Sequence, residues 1–318
     1  MERKRFEQFA WGVLLYNLAV IFWGVYVRAS FSGDGCGPHW PLCSGQTLSV
    51  DAHIKHLVEY SHRISSGICV PLVVVLCVWS NRIYSFGSGV RKGALLSVVF
   101  TFSEALLGAA LVLFKWVAHN PSASRAFAVS AHLTNTFILL ACLTLTAWCA
   151  SGGSMPVFRN AGKTGHALIV ALVAVTILGI SGTLAALGDT LYPSSSIIAG
   201  MKQDFAPTAN YLLKLRPFHP VVAIAVALYI GAIASIIGKR RPYPNVVRFK
   251  KYMMWIFVLQ MVCGFVNLML HAPVWLQLFH LLIADMLWIA LILFTTSALS
   301  ENHGERVAIY PENGRSTA

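Results

Sequence analysis

Four histidines stand inside long apolar runs of this chain: His62, His132, His219 and His280. Each is read as lying a turn or two inside the same end of its run. An ionisable side chain inside a membrane span is costly to bury and marks a functional site by default. Imidazoles on facing helices can hold a metal. A closed zinc site wants four ligands, usually with cysteine. The span cysteines, Cys69, Cys77, Cys142, Cys149 and Cys263, share no matching spacing and read as small packing residues. Two opposed imidazoles beside an apolar slot suit haem, whose iron takes one axial ligand from each face. The pattern predicts two haem sites, one for each pair of histidines. The other seven, His39, His53, His56, His119, His166, His271 and His303, fall in loops or near the ends of runs and carry little information.

The two pairs have different neighbours. Glu59 precedes His62 by three residues in EYSHR, on the same helix face. The rise per residue sets it roughly 4.5 Å nearer the mouth. In RPFHP, Arg216 takes the place of the glutamate before His219. An acid beside a macrocycle can exchange protons or stabilise positive charge, and outer arginines can hold an anion such as a propionate. Glu59 can also pair with Arg63, one turn on, and the two roles are compatible. The asymmetry predicts chemistry at the first pair and a holding or electron-transfer haem at the second.

The elements that must position these residues are membrane helices. Of 318 residues, 57% are hydrophobic and 11% charged, against about 25% charged in soluble domains. Eight apolar runs, roughly 10–29, 57–80, 93–116, 127–150, 165–187, 217–238, 252–270 and 275–298, approach the ~20 residues a span needs. The fold class expected is an all-α polytopic membrane protein. No convincing cleavage site follows the first run, so it reads as a retained helix. The net charge of +12 is a topology signal rather than a nucleic-acid surface. Arg3, Lys4 and Arg5 precede span one, and Arg82, Arg91 and Lys92 follow span two. Arg159 and Lys163 follow span four, and Lys239 to Arg241, Arg248, Lys250 and Lys251 follow span six. The positive-inside rule makes these segments and both termini cytoplasmic, with anionic lipid as a minor surface partner.

The order of features repeats. WGVYVRASFSGD (23–34) has an echo in LGISGTLAALGD (178–189), EALLG (104–108) in QMVCG (260–264), and SAHLTNT in LFHLLIAD. This predicts two pseudo-symmetric four-helix bundles. Residues 1–150 form the catalytic half, 151–164 a cytoplasmic linker, 165–300 the second half and 301–318 a tail. The loop GDGCGPHWPLCSG (33–45) then faces the oxidising side, where disulfides persist. Closing the short ring between Cys36 and Cys43 is worth roughly 2.5 kcal/mol in the chain-entropy model. The pair reads either as a staple ordering a lid over Glu59 and His62 or as a redox-active pair, and both stay open.

The loop GDGCGPHWPLC, EYSHR, SAHLTNT and the single histidines at the outer ends of spans six and eight closely resemble haem A synthase. That family serves cytochrome oxidase assembly in bacteria and mitochondria. The resemblance covers essentially the whole chain. It implies oxidation of the C8 methyl of haem O to a formyl group through two hydroxylations and loss of water from a geminal diol. It implies that His62 and His132 flank the substrate haem O and that Glu59 is the essential acid. It further implies that His219 and His280 are axial ligands of a haem b cofactor. A bacterial plasma membrane is the expected location. The upstream haem O synthase is the partner that pathway logic suggests, and the electron acceptor stays unnamed. Some family members carry a second cysteine pair after span five, where this chain has Ser194 to Ser196. A mechanism needing both pairs cannot apply to it.

Two rival functions are a di-haem b-type electron carrier and a haem transporter or chaperone. A carrier usually places its haems near opposite faces, whereas these histidines share one. A transporter does not need an acid beside only one pair.

Overall fold

The computed structural model describes residues 1–41, 43 and 50–300, with no account of the side chains of 50–52. The expected tail 301–318 and His303 lie outside the described residues. The chain is an all-α polytopic membrane protein. Its helices are α1 (Glu2–Ala29), α2 (Val50–Ile83), α3 (Gly89–Leu113), α4 (Ala123–Ala150) and α5 (Gly162–Leu191), then α6 (Ile197–Asp204), α7 (Tyr211–Leu215), α8 (Phe218–Arg240), α9 (Pro244–Met269) and α10 (Val274–Leu299). Eight helical stretches are long and apolar enough to cross a membrane, with α7 and α8 together forming the sixth.

Several helices outrun the bilayer. At 34 residues, α2 is about 51 Å long, well beyond a hydrocarbon core of about 30 Å. Its mouth end is made of the polar turns around His53 and His56, which apolar counting leaves outside the span. His62 therefore stands twelve residues after the start of α2 at Val50, over three turns into the helix. The stretch 188–215, between the apolar runs 165–187 and 217–238, holds the end of α5 and the short helices α6 and α7. Ser196 starts α6, its hydroxyl accepting the Ala199 N–H at 3.1 Å. Asn210 starts α7 by accepting from Leu212 N–H at 3.0 Å. Such caps satisfy donors that a helix start leaves open.

α1 packs on α2, α4 and α10. α3 packs on α2 and α4, α5 on α4, α8 and α10, and α9 on α8 and α10. α4 and α10 are the inner pair, burying 50% and 56% of their apolar stretches, against 17 to 33% in the other spans. The apolar side chains facing outward are solvated by lipid, so their exposure costs nothing. The inner pair is joined by a stack of Phe137 on Trp288, ring centres 4.7 Å apart. Trp288 also donates its indole N–H to the Phe137 carbonyl at 2.7 Å.

The two ends of the molecule differ. At one, Trp11 donates to Ser151 at 3.0 Å and the Val157 N–H to the Leu299 carbonyl at 3.1 Å. At the other, Phe31 stacks on His119 at 4.2 Å, Arg28 donates to Gln277 at 3.3 Å and Tyr211 to the Pro121 carbonyl at 3.4 Å. The segments following α1, α3, α5 and α9 thus gather at one mouth, and the histidine pairs lie below it.

Candidate functional site

Three of the four histidine rings rest in the same kind of cradle. His62 lies on Gly24 of α1, His219 on Gly182 of α5 and His280 on Gly264 of α9. A Cβ built on any of these glycines would fall 2.9 Å from the Cε1 of the ring. Each ring occupies the place of a side chain that the preceding span lacks. The glycine echo read from sequence is out of register here. It matches Gly24 with Gly179, but Gly179 meets Phe137 and Leu133 of α4, while Gly182 carries the histidine. Three residues turn a helix through about 300°, so the two glycines of α5 face different neighbours.

The second pair is close. The rings of His219 and His280 have centres 6.4 Å apart and planes at 89°. Two imidazoles each bound by a nitrogen at about 2 Å to one metal have ring centres roughly 6 Å apart, so the spacing suits a shared metal. Ser181 lies 2.9 Å from Nδ1 of His219, and Gln260 lies 3.2 Å from Nε2 of His280. In the first half, Nδ1 of His62 is buried and has no hydrogen-bond partner among the described residues. His132 differs from the other three. Gly108 of α3 has nothing within 4 Å, and the ring instead lies against Glu104, Nδ1 to Oε1 being 3.0 Å.

Glu59 is buried, with 3% exposure. The backbone N–H of Cys36 donates to its Oε2 at 2.8 Å. Arg63 donates to Oε1 through Nε at 3.1 Å and through Nη2 as well. The same guanidinium reaches the carbonyls of His39 and Pro41. Glu59 and Arg63 therefore tie the cysteine loop down over the mouth of α2. The ion pair with Arg63 is present, and so is the position beneath the loop. Gly35 makes the close approach: a Cβ there would fall 2.5 Å from the Lys55 backbone.

Cys36 and Cys43 are joined by a disulfide, and Cys69, Cys77, Cys142, Cys149 and Cys263 are free thiols. The ligand atoms of Cys36, Cys43 and His56 lie within 4.8 Å of one another. That spacing would suit a metal ion, but a disulfide offers no thiolate, the form that binds metal. Protein isolated without reductant is expected to give a non-reduced peptide joining Cys36 to Cys43 in mass spectrometry. Finding both as free thiols would remove the staple and leave only a transient redox role.

Arg216, given by sequence as a propionate or ion-pair residue, is engaged by two carboxylates. Asp189 lies at 2.9 Å and Asp204 at 2.6 Å, with the Gly200 carbonyl at 3.3 Å. This knot fastens α6 and the end of α5 beside the start of α8. Asp204, like the cap at Ser196, belongs to α6, where apolar counting sees only loop.

Sequence reading passed over His56, Glu104 and Asp285. His56 had a signal, since it stands three residues before Glu59, near it on the helix surface. Glu104 had one too, as a charge inside the apolar run 93–116. Asp285 is 1% exposed, with Oδ1 lacking a partner among the described residues.

Known proteins resemble this chain along nearly its whole length. A 306-residue stretch, 96% of the chain, is 40% identical to a Thermus thermophilus protein named Protoheme IX farnesyltransferase, of which it covers 50%. The chain thus spans about half the length of that relative. A 95-residue stretch, 30% of the chain, is 39% identical to 32% of a Heme A synthase from Halalkalibacterium halodurans. A 126-residue stretch, 40% of the chain, is 36% identical to 40% of a Heme A synthase from Bacillus mycoides. The family model described as COX15-CtaA, cytochrome oxidase assembly protein, matches residues 7–292. With eight apolar helices and that match over most of its length, the chain belongs to the COX15-CtaA family of cytochrome oxidase assembly proteins.

Proposed function

We propose that this chain is a haem A synthase, oxidising the C8 methyl of haem O to the formyl group of haem A by successive hydroxylations. The observation that carries the reading is the buried Glu59, held under the disulfide loop and three residues from His62. The contacts of α1–α4 with one another, and of α5 and α8–α10 with one another, support two pseudo-symmetric four-helix bundles. His62 and His132 bind the substrate haem in the first. The span of His219 and His280 supports haem b in the second, where this cofactor supplies one-electron chemistry.

The chain's own residues then have separate tasks. The gap at Gly24 keeps the His62 ring in place. The Cys36–Cys43 loop covers the mouth and excludes water. Arg63 holds the Glu59 carboxylate in position. Each hydroxylation replaces one C–H with C–OH; with water as the oxygen source, two electrons pass to an external acceptor, two protons are released, and positive charge builds at carbon on the way. A carboxylate close by can accept the proton and stabilise that charge. The basic end of the molecule faces the cytoplasm of a bacterial cell and the cysteine loop faces outward, following the distribution of Lys and Arg.

The name of the double-length relative raises a second reading, that the chain itself transfers a farnesyl group. A prenyl diphosphate is usually met by Mg²⁺ on carboxylates. The chain's five aspartates, Asp34, Asp51, Asp189, Asp204 and Asp285, stand at least fifteen residues apart, and Asp189 and Asp204 are held by Arg216. We read the match as support for a partnership with the enzyme that makes haem O. The test is haem extraction from cells lacking their own enzyme and carrying this chain together with haem O synthase. Haem A is the expected product, and haem O and haem b alone would overturn the reading.

A further inference from the structure

The two halves brace their last histidine differently. On α3, Glu104 stands one turn before Gly108. On α9, Gln260 stands one turn before Gly264. Glu104 Oε1 lies 3.0 Å from Nδ1 of His132. Nδ1 of His132 is buried and makes no other hydrogen bond among the described residues. At the matching place the neutral amide of Gln260 lies 3.2 Å from Nε2 of His280, the opposite ring nitrogen from the one that Glu104 meets. Equivalent positions thus present a carboxylate to one histidine and an amide to the other.

Glu104 is firmly held. Asn135 donates from Nδ2 to its Oε2, and the Thr136 hydroxyl contacts its Oε1. The orientation of Asn135 is itself set, because Ser103 donates to Oδ1 at 2.5 Å and Nδ2 also reaches the Phe100 carbonyl at 2.9 Å. Asn135 and Thr136 lie on α4 with His132, so one turn of α4 locks the acid of α3 beside its own histidine. The oxygens of Glu104 meet donors from α4, and Nδ1 of His132 is the ring nitrogen beside them.

We propose that Glu104 is a positioning residue that takes the Nδ1–H of His132, fixes its tautomer and leaves Nε2 an electron-rich donor toward the substrate haem. A carboxylate on the far nitrogen of a ligating histidine orients the ring and raises its basicity. The inference rests on the reading of His132 as a ligand of that haem. Its consequence is preferential stabilisation of the ferric form in the first half only.

The experiment is a spectroscopic redox titration of the full chain carrying haem in both halves, as wild type and as Glu104→Gln, which installs the residue of the second half. The variant is expected to raise the first-half midpoint potential by at least a tenfold change in ferric-over-ferrous preference, 59 mV for a one-electron couple. The second-half haem should not move, and only the first-half low-spin electron paramagnetic resonance signal should change. An unmoved first potential, or equal movement of both, overturns the proposal. If Glu104→Gln does not accumulate, Glu104→Asp, which keeps the charge but draws it back from Nδ1, is expected to move the first-half potential in the same upward direction, and no shift overturns the proposal equally. His132→Ala separates the two claims. A normal first-half spectrum without His132 sinks the ligand reading, and this inference with it. Loss of that spectrum beside an unshifted Glu104→Gln potential removes the role of Glu104 alone.

Discussion

Glu59→Gln is expected to fold, to bind haem in both halves and to make haem A at a rate lower by on the order of 100-fold or more, the range a general acid–base group contributes. Haem O, or an early hydroxylated product, should accumulate in its place. Gln keeps the size of the side chain and one oxygen to accept the Cys36 N–H, now at 2.8 Å. It removes the charge and the basicity. Arg63 loses its carboxylate but keeps the carbonyls of His39 and Pro41, so the loop retains an anchor. Losing a hydrogen bond to a charged partner costs about 1.5–3 kcal/mol. A fall in stability of that size with normal haem content is compatible with the prediction. The measurement is chromatography of haems from cells carrying only this variant beside haem O synthase. Near-normal haem A would make Glu59 a structural partner of Arg63 and place the catalytic group elsewhere.

The second large effect concerns the other half. His219→Ala and His280→Ala should each abolish a low-spin b-type spectrum and lower the melting temperature. Each removes one of two rings 6.4 Å apart and leaves the cradle at Gly182 or Gly264 empty. The void is costly because the surrounding helices relax only partly, and large-to-small changes at buried sites cost about 2–5 kcal/mol. Losing bound cofactor adds to this, because a ligand that binds only the folded state stabilises it. Full retention of the low-spin spectrum in both variants would show that these histidines do not hold that haem.

How far the two pairs can be read without coordinates depends on what each feature needs. The spans are legible as runs of apolar residues because lipid offers the backbone no partner, so each crossing must be a helix and must be apolar. The expectation of which side faces the cytoplasm comes from the placement of Lys and Arg. The four histidines and Glu59 stand out because polar side chains in such runs are expensive, and the two cysteines because they share a short loop between runs. The placement of the loop above Glu59 followed from chain continuity, since the loop leads directly into the helix that carries Glu59.

Other features depend on which helix faces which. The choice of Gly182 over Gly179 as the seat of His219 is a matter of helix rotation, which a weak repeat does not encode. The Glu104–His132 contact joins α3 to α4 and requires both the crossing and the rotamers. His56 reaches the disulfide because α2 runs on past its apolar stretch, and its polar turns are held by the loop rather than by lipid. Arg216 acquires Asp204 only because α6 folds back toward α8, bringing together residues twelve apart in a segment without apolar periodicity. Hydropathy records the cost of placing a side chain in lipid. It does not record the partner that a buried charge meets there, and that partner is a property of the packed helices.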